Sequence, residues 1–378
     1  MKIGIDCRLW KQTGVGRYIR NLVWELQEID HTNEYVLFCL PNDAKVLNTS
    51  LAKSQNTLKW KVVVTDIHWH SLAEQITFPQ ILYKEKLDLM HFPYFSLPIL
   101  YNRPFVVTIH DLIITHFPTG KASTLPLPLY YLKRFAYEYI VKQALKKAKK
   151  IIVPLHAVEK DLKQTFRVRS DHIAVTYEGV DESIKNTLAF PSNAFPYFLY
   201  VGNAYPHKNI ERLIESFLQF RKEEKKDIAL VLVGKNDYFY KRIEKEILGK
   251  KHEGIIFKHD ITDTELFSLY KNARVFVSPS LMEGFGLPAL EAMSVSCPVL
   301  VSDIPSFKEV CQDAAFYFDP YSISDMKKKM QFVYNLDSKK LQVYKDRGII
   351  RVKDFSWKEM AKQTQKVYES SIGVRQSK

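Results

Sequence analysis

Residues 275–293 read VFVSPSLMEGFGLPALEAM. An apolar run, VFVSPS, opens the stretch and fits a strand buried on both faces. LMEGFG then makes a loop, and Pro288 is suited to the first position of a following helix. Strand, loop and helix in that order are one unit of an α/β fold. Glu283 and Glu291 stand in this unit with seven residues between them. Gly284, Gly286 and Pro288 prevent a helix from joining the two. Even on an unbroken helix, a spacing of eight would turn one side chain about 80° from the other. The carboxylates therefore suit different ends of one ligand better than an acid/base pair.

The same unit recurs on both sides. KIGID, YVLFCL, KVVVT, LMHF, FVVTIH, KIIVP and IAVTYEG are strand candidates in the first half. YFLYVG, IALVLVG, GIIFKH, VFVSPS, PVLVS and AFYFD follow in the second. GRYIRNLVWELQEI is an amphipathic helix after the first strand, and residues 70–86 and 125–149 read as further helices. Residues 182–196, ESIKNTLAFPSNAFP, lose the pattern and read as a linker. The expected organisation is a Rossmann-like domain over 1–181, the linker 182–196, and a second such domain over 197–355. A last helix, roughly 356–370, suits either domain. Two doubly wound domains would face each other across a cleft at their strand carboxyl ends, where ligands bind.

The bulk numbers narrow the class. The 378 residues are 46% hydrophobic and 26% charged, as in a water-soluble two-domain protein. Cys7, Cys39, Cys297 and Cys311 are scattered, with no CxxC, which suits a reducing compartment and argues against structural zinc. The start, MKIGIDCRL, reads as a strand and not a signal peptide. No apolar run approaches the ~18 residues of a membrane span. These readings place the protein in the cytoplasm. The net charge of +13 favours anionic partners, although a lysine-rich composition explains it as well. No zinc-finger, RNP-like or basic-zipper pattern supports nucleic acid.

Several residues carry potential chemistry. In TGVGRY, Gly14 and Gly16 precede a helix whose N-terminus favours an anion. The third glycine of a dinucleotide fingerprint is missing, and a tight strand-to-helix turn explains the same residues. In VGNAYPHKN, Lys208 precedes the helix NIERLIESF and would add a full charge to its dipole. No GxxxxGK[ST] occurs, so a P-loop nucleotide engine is excluded. VVTIHDL ends a strand with His110, either a cleft residue or a structural histidine, and Asp111, a candidate cap. The amides from Gly284 to Leu287 would make an anion site with Lys208, and Glu291 falls in or just past the first turn of its helix.

These motifs together resemble the GT-B retaining glycosyltransferases of family four, the group 1 glycosyltransferases. The resemblance rests on GIDCRL…TGVGRYIRNL, TIHDL, YEGVD, YVGNAYPHKNIERLI, SPSLMEGFGLPALEAM and the closing FSW. It implies a nucleotide-sugar donor bound mainly by the second domain, an acceptor bound mainly by the first, and a final helix that crosses back to the first. Glu283 would contact the donor sugar and Glu291 the ribose hydroxyls. Lys208, Asn203 and the loop Gly284, Phe285, Gly286 and Leu287 would hold the diphosphate, approached by Gly14 and Gly16. His110 would sit beside the sugar, so His110 and Glu283 are the catalytic candidates. Ile261 would contact the base. Many members carry an arginine where this chain has Asn203, and an amide lacks the charge and the fork of a guanidinium. His207 would partly substitute. VPLHAVEKDL also departs, where a serine or threonine is usual.

The family precedent implies retention of configuration by same-face attack, with the leaving phosphate as base and no metal or other cofactor. Domain closure would bring Gly16 and His110 to the donor and exclude water. The overall look resembles bacterial mannosyltransferases using GDP-mannose, with a UDP-sugar as the other donor. The acceptor would be a glycan or a lipid-linked glycan. YYLKRFAYEYIVKQALKKAKK, residues 130–150, carries seven Lys/Arg and one Glu. That suits peripheral contact with an anionic inner-membrane face, although a solvated helix face is the better explanation of the same residues. A silent nucleotide-sugar binder and an epimerase of the same fold are the competing classes.

Overall fold

The computed structural model describes residues 1–52, 59–117, 127–181, 196–224, 227–249 and 253–373, without the side chains of 127–130 and 248. Residues 182–195 of the expected linker lie outside the described residues. Two compact units result: Met1–Thr115, Ser123–Gly179 and Ser356–Lys378 form one, and His116–Ala122 with Val180–Phe355 the other.

In chain order the first unit contains β1 (Lys2–Asp6), α1 (Gly14–Ile29), β2 (Glu34–Cys39), α2 (Pro41–Leu51), β3 (Trp60–Val64), α3 (Leu72–Lys84), β4 (Leu89–Phe92), β5 (Phe105–Thr108), α4 (Ile113–His116), α5 (Leu127–Lys147), β6 (Lys150–Val153), α6 (His156–Phe166) and β7 (Ile173–Val175). All seven strands pair in parallel in the order β3-β2-β1-β4-β5-β6-β7. Order reversal beside β1 makes the topological switch point of a doubly wound sheet. The β1, β4 and β5 side chains are nearly all buried, which is why these runs show no polar alternation.

The second unit contains β8 (Tyr197–Val201), α7 (Ile210–Glu224), β9 (Ala229–Gly234), α8 (Tyr238–Gly249), β10 (Ile255–His259), α9 (Asp263–Asn272), β11 (Val275–Ser278), α10 (Leu287–Ser294), β12 (Val299–Ser302), α11 (Pro305–Cys311), β13 (Ala315–Phe318), α12 (Ile323–Asn335) and α13 (Ser338–Val352). Its sheet is again parallel, ordered β10-β9-β8-β11-β12-β13. On α7, Ile210, Leu213, Ile214, Phe217 and Phe220 form one apolar face and enter the core with Phe198, Leu230 and Leu232. Each such side chain contributes about 1.5–3 kcal/mol of burial.

The last helix, α14 (Trp357–Ile372), belongs to the first unit, where it packs on α1 and beside β4, β5 and β6. Ser356 caps it by accepting from Glu359 N. The strands β5 and β11 stop two residues short of their expected runs, and β7 falls shorter still. The run IAVTYEG extends to Gly179, yet β7 stops at Val175. Beyond it Glu178 turns toward His110, and Gly179 packs so tightly on Trp357 that a Cβ would meet its backbone N at 2.3 Å.

Candidate active site

The stretch 275–293 folds as strand, loop and helix. Gly286 is the N-cap of α10 at φ 92°, a left-handed conformation that favours glycine, and Pro288 lies in the first turn. A Cβ on Gly286 would also meet the Phe307 ring at 2.7 Å. The cap makes no side-chain bond to the helix amides. Unpartnered amides at a helix start leave a partial positive charge there.

Glu283, in the loop before α10, is fixed from several sides. Its Oε1 accepts from Lys208 Nζ at 2.7 Å and from Ser280 Oγ at 2.7 Å, and its backbone carbonyl accepts from Ser306 Oγ at 2.6 Å. Burial alone would raise its pKa, but the Lys208 charge and hydrogen bond and the Ser280 hydroxyl outweigh that and hold it below the usual carboxylate range. Lys208 ends a 3₁₀ turn, Pro206–Lys208, just ahead of α7. Asn209 follows in the left-handed region, φ 61°. Its side-chain amide donates to Pro279 O at 3.0 Å and Pro320 O at 2.8 Å, while Leu281 N donates to His207 O at 2.8 Å. The lysine loop is thereby tied to the glutamate loop. Asn209, Ser280 and Ser306 were not singled out in the sequence; an asparagine before a helix is a signal for Asn209, and nothing local marks the serines.

Glu291 lies one residue past the first turn of α10, is 2% exposed, and accepts from Tyr270 Oη at 3.0 Å. Ile261 lies between β10 and α9, just before the N-cap Thr262. Asn203 is half-buried; its Oδ1 accepts from Tyr205 N at 3.4 Å, and its carbonyl accepts from Tyr200 Oη at 2.7 Å. The expectation that His207 partly substitutes for a missing arginine is narrowed to a neutral role. His207 is buried, and burial followed by repulsion from Lys208, partly opposed by Glu283, lowers its pKa to about 4. At neutral pH it carries no charge for a phosphate.

A cavity of about 520 Å³ opens beside the loop, lined by Leu281, Asp303, Asp319, Tyr321, Asp325 and Lys329 among others. Three carboxylates against one lysine disfavour an anion there. Lys208 and the start of α10, with its uncapped amides, suit an anion better than this cavity does.

In the first unit α1 begins at Gly14, and Thr13 makes no side-chain cap. A Cβ on Gly16 would meet Trp10 O at 2.5 Å and Leu9 O at 2.8 Å, whereas one on Gly14 would meet nothing within 4 Å. The tight turn thus explains Gly16 but not Gly14. His110 follows β5. Its Nε2 lies 3.0 Å from Pro93 O, after β4, and its Nδ1 lies 3.1 Å from Glu178 Oε1, after β7. Tyr18 of α1 packs edge-on to the ring, with centroids 4.9 Å apart. Asp111 accepts from Ile113 N at 2.9 Å and so caps α4. Among the described residues no cluster of His, Cys, Asp and Glu could hold a metal ion.

Two parallel Rossmann-like units, with the last helix returned to the first, define the GT-B architecture. Solved structures agree on the fold. Sucrose-phosphate synthase from Thermosynechococcus elongatus matches with a TM-score of 0.78 at 20% identity, over 99% of this chain and 100% of its own. Anabaena HepE in complex with UDP-glucose matches with a TM-score of 0.74 at 15% identity, over 98% and 100%. The sequence matches the family model described as Glycosyl transferases group 1 over residues 182–350 and that of Glycosyltransferase Family 4 over residues 12–184. The O-antigen chain mannosyltransferase RfbU of Salmonella typhimurium is 30% identical over 76% of this chain and 73% of its own. O-antigen chain mannosyltransferase B of Escherichia coli is 28% identical over 94% and 96%. This chain belongs to the group 1 glycosyltransferase family.

Proposed function

We propose that the protein is a retaining, metal-independent hexosyltransferase. It moves mannose from GDP-mannose to a hydroxyl of a glycan or lipid-linked acceptor in O-antigen-type polysaccharide synthesis. The observation that carries the reading is the Lys208–Glu283 pair, 2.7 Å apart, beside the start of α10, which makes no side-chain cap bond. In the reaction the bond between the sugar's anomeric carbon and the diphosphate oxygen breaks, and the acceptor oxygen bonds to that carbon. The acceptor proton passes to the leaving phosphate. Negative charge grows on the diphosphate, where Lys208 and the amides of Gly284, Phe285, Gly286 and Leu287 stabilise it. Asn203 adds a neutral donor. Glu283 orients the sugar, Glu291 takes the ribose hydroxyls and Ile261 meets the base. In the first unit, Gly14, Gly16 and His110 are the candidate residues.

The mannosyltransferase relatives favour mannose, and a UDP-sugar is the alternative donor. A panel of nucleotide sugars, screened by thermal shift and then by nucleotide release, decides the donor. Release from GDP-mannose is the expected outcome, and release only from other donors would reject it. Full activity is expected after chelator treatment; loss restored by a divalent ion would contradict the metal-free mechanism.

One observation favours a second reading, a silent nucleotide-sugar binder. Asn203 lacks the charge of an arginine, and His207 does not supply it. Slow donor hydrolysis without acceptor identifies the enzyme, and its absence the binder. The working place of the enzyme would be the cytoplasm, with peripheral contact at the inner membrane face. Among the described residues no helix is long and apolar enough to cross a membrane.

A further inference from the structure

His110 is held by more than a single contact. The carboxyl ends of β4, β5 and β7 meet at its ring through Pro93, His110 itself and Glu178. The Pro93 carbonyl only accepts, so Nε2 must present its N–H there. A neutral imidazole would then turn the bare lone pair of Nδ1 toward the Glu178 carboxylate, oxygen against nitrogen at 3.1 Å. Both contacts are satisfied when each ring nitrogen donates.

The surroundings agree. Glu178 is 4% exposed. Tyr18 offers His110 only its ring, because its hydroxyl lies 3.2 Å from Thr108 Oγ1. Thr108 Oγ1 in turn lies 2.8 Å from His91 Nε2, and His91 Nδ1 lies 2.7 Å from Tyr368 Oη on α14. Burial, then the charge of His110, hold His91 down to about 3, so it stays neutral. Asp111, the next residue, caps α4. Of the carboxylates named here, Glu178 is the one bonded to the ring.

We propose that Glu178 is a positioning residue for His110, fixing its imidazole with an N–H on each nitrogen between the Glu178 carboxylate and the Pro93 carbonyl. Neither nitrogen is then open to take the acceptor proton. His110 works as an oriented cation and ring face, and proton removal falls to the leaving phosphate. This rests on the transferase reading for its catalytic consequence, but not for its geometry.

The test uses the full chain with ¹⁵N-labelled histidine, the His110 signals being assigned by their loss in His110→Asn. Wild-type protein should show two ring N–H groups on His110, and Glu178→Gln should show one. Sugar transfer by Glu178→Gln should lose kcat by about tenfold or more, as expected when a reacting group is misplaced or loses its charge partner. Its KM for the donor should stay within about twofold, since Lys208, Glu291 and Ile261, to which a phosphate, the ribose and the base are assigned, lie in the other unit. Unchanged melting of Glu178→Gln separates this from a folding defect, with Glu178→Asp as the back-up variant. One ring N–H on wild-type His110 overturns the proposal. So does a wild-type kcat in Glu178→Gln. If no donor is transferred by the wild type, the transferase reading fails, and the nitrogen signals still decide the role of Glu178.

Discussion

Lys208 and Glu283, 2.7 Å apart, are the contact on which the proposed chemistry rests. Their side chains are 16% and 12% exposed, so the pair is shielded from solvent screening. Removing one partner strands the other charge, which costs about 3–5 kcal/mol at fully buried sites and less here. Lys208→Ala and Glu283→Gln are each expected to cut sugar transfer more than tenfold, an effect of about 1.4 kcal/mol or more on the barrier. Melting curves taken with the rates separate lost chemistry from lost packing. Near-normal turnover in both folded variants would reject this site. Glu283 also shapes the acid response. Its folded pKa is lowered, so its contribution is complete above the unfolded value of about 4.3 and disappears as pH falls through the folded one.

At the scale of elements, α10 and α5 make opposite use of their sequences. The start of α10 depends on a backbone conformation. Gly286→Ala would place a side chain at φ 92° and against Phe307, at a cost of roughly 1–3 kcal/mol. Urea unfolding should show that loss, and the variant should bind nucleotide less well because the amide loop shifts. Wild-type stability together with wild-type binding would show that the loop does not need this geometry. On α5 the issue is an uncovered face. Tyr131, Leu132, Phe135 and Tyr139 are exposed on a helix that also carries Lys133, Arg134, Lys142 and Lys146. Aromatic and basic side chains together suit an anionic lipid surface. Flotation with vesicles of anionic lipid should therefore show binding that weakens with salt. Absence of flotation at low salt would leave α5 as a solvated face.

For the whole molecule, buried histidines set the pH range of stability. Burial, as the largest cause, lowers His91 to about 3 and His207 to about 4. Their unfolded value is about 6.5, so the unfolded chain binds more protons as soon as pH drops below that. Stability should fall from about pH 6.5 downward, with a slope of about 2.5 kcal/mol per pH unit near pH 5 when both are in play. His259 has the opposite sign. Burial opposes its charge, but Glu244 and the Gly234 carbonyl raise it. It therefore adds stability below its unfolded pKa that is lost as pH rises through the folded one. Thermal melting across pH 4.5–8 checks the slope, and His207→Asn should reduce it by about half. A flat profile down to pH 5 would show that these histidines are accessible in the folded state.

The sequence alone determined the α/β class, the strand runs of both sheets and the membership of the last helix through its family resemblance. Unbroken apolar runs such as FVVT and VFVS belong to parallel strands with both faces covered, and that burial is written locally. It also marked Lys208, Glu283 and the Gly286–Pro288 turn, because glycine and proline act through their own backbone angles. What only the tertiary structure decided depends on groups far apart in the chain. Glu178 lies 68 residues from His110, and nothing near either one announces the contact. Lys208 meets Glu283 across 75 residues, which converts two ordinary charges into a fixed pair. His207 looked like a spare cation until its burial removed the charge. Local sequence sets conformation and periodicity, while charge state and hydrogen-bond partnership are set by what the folded chain brings near.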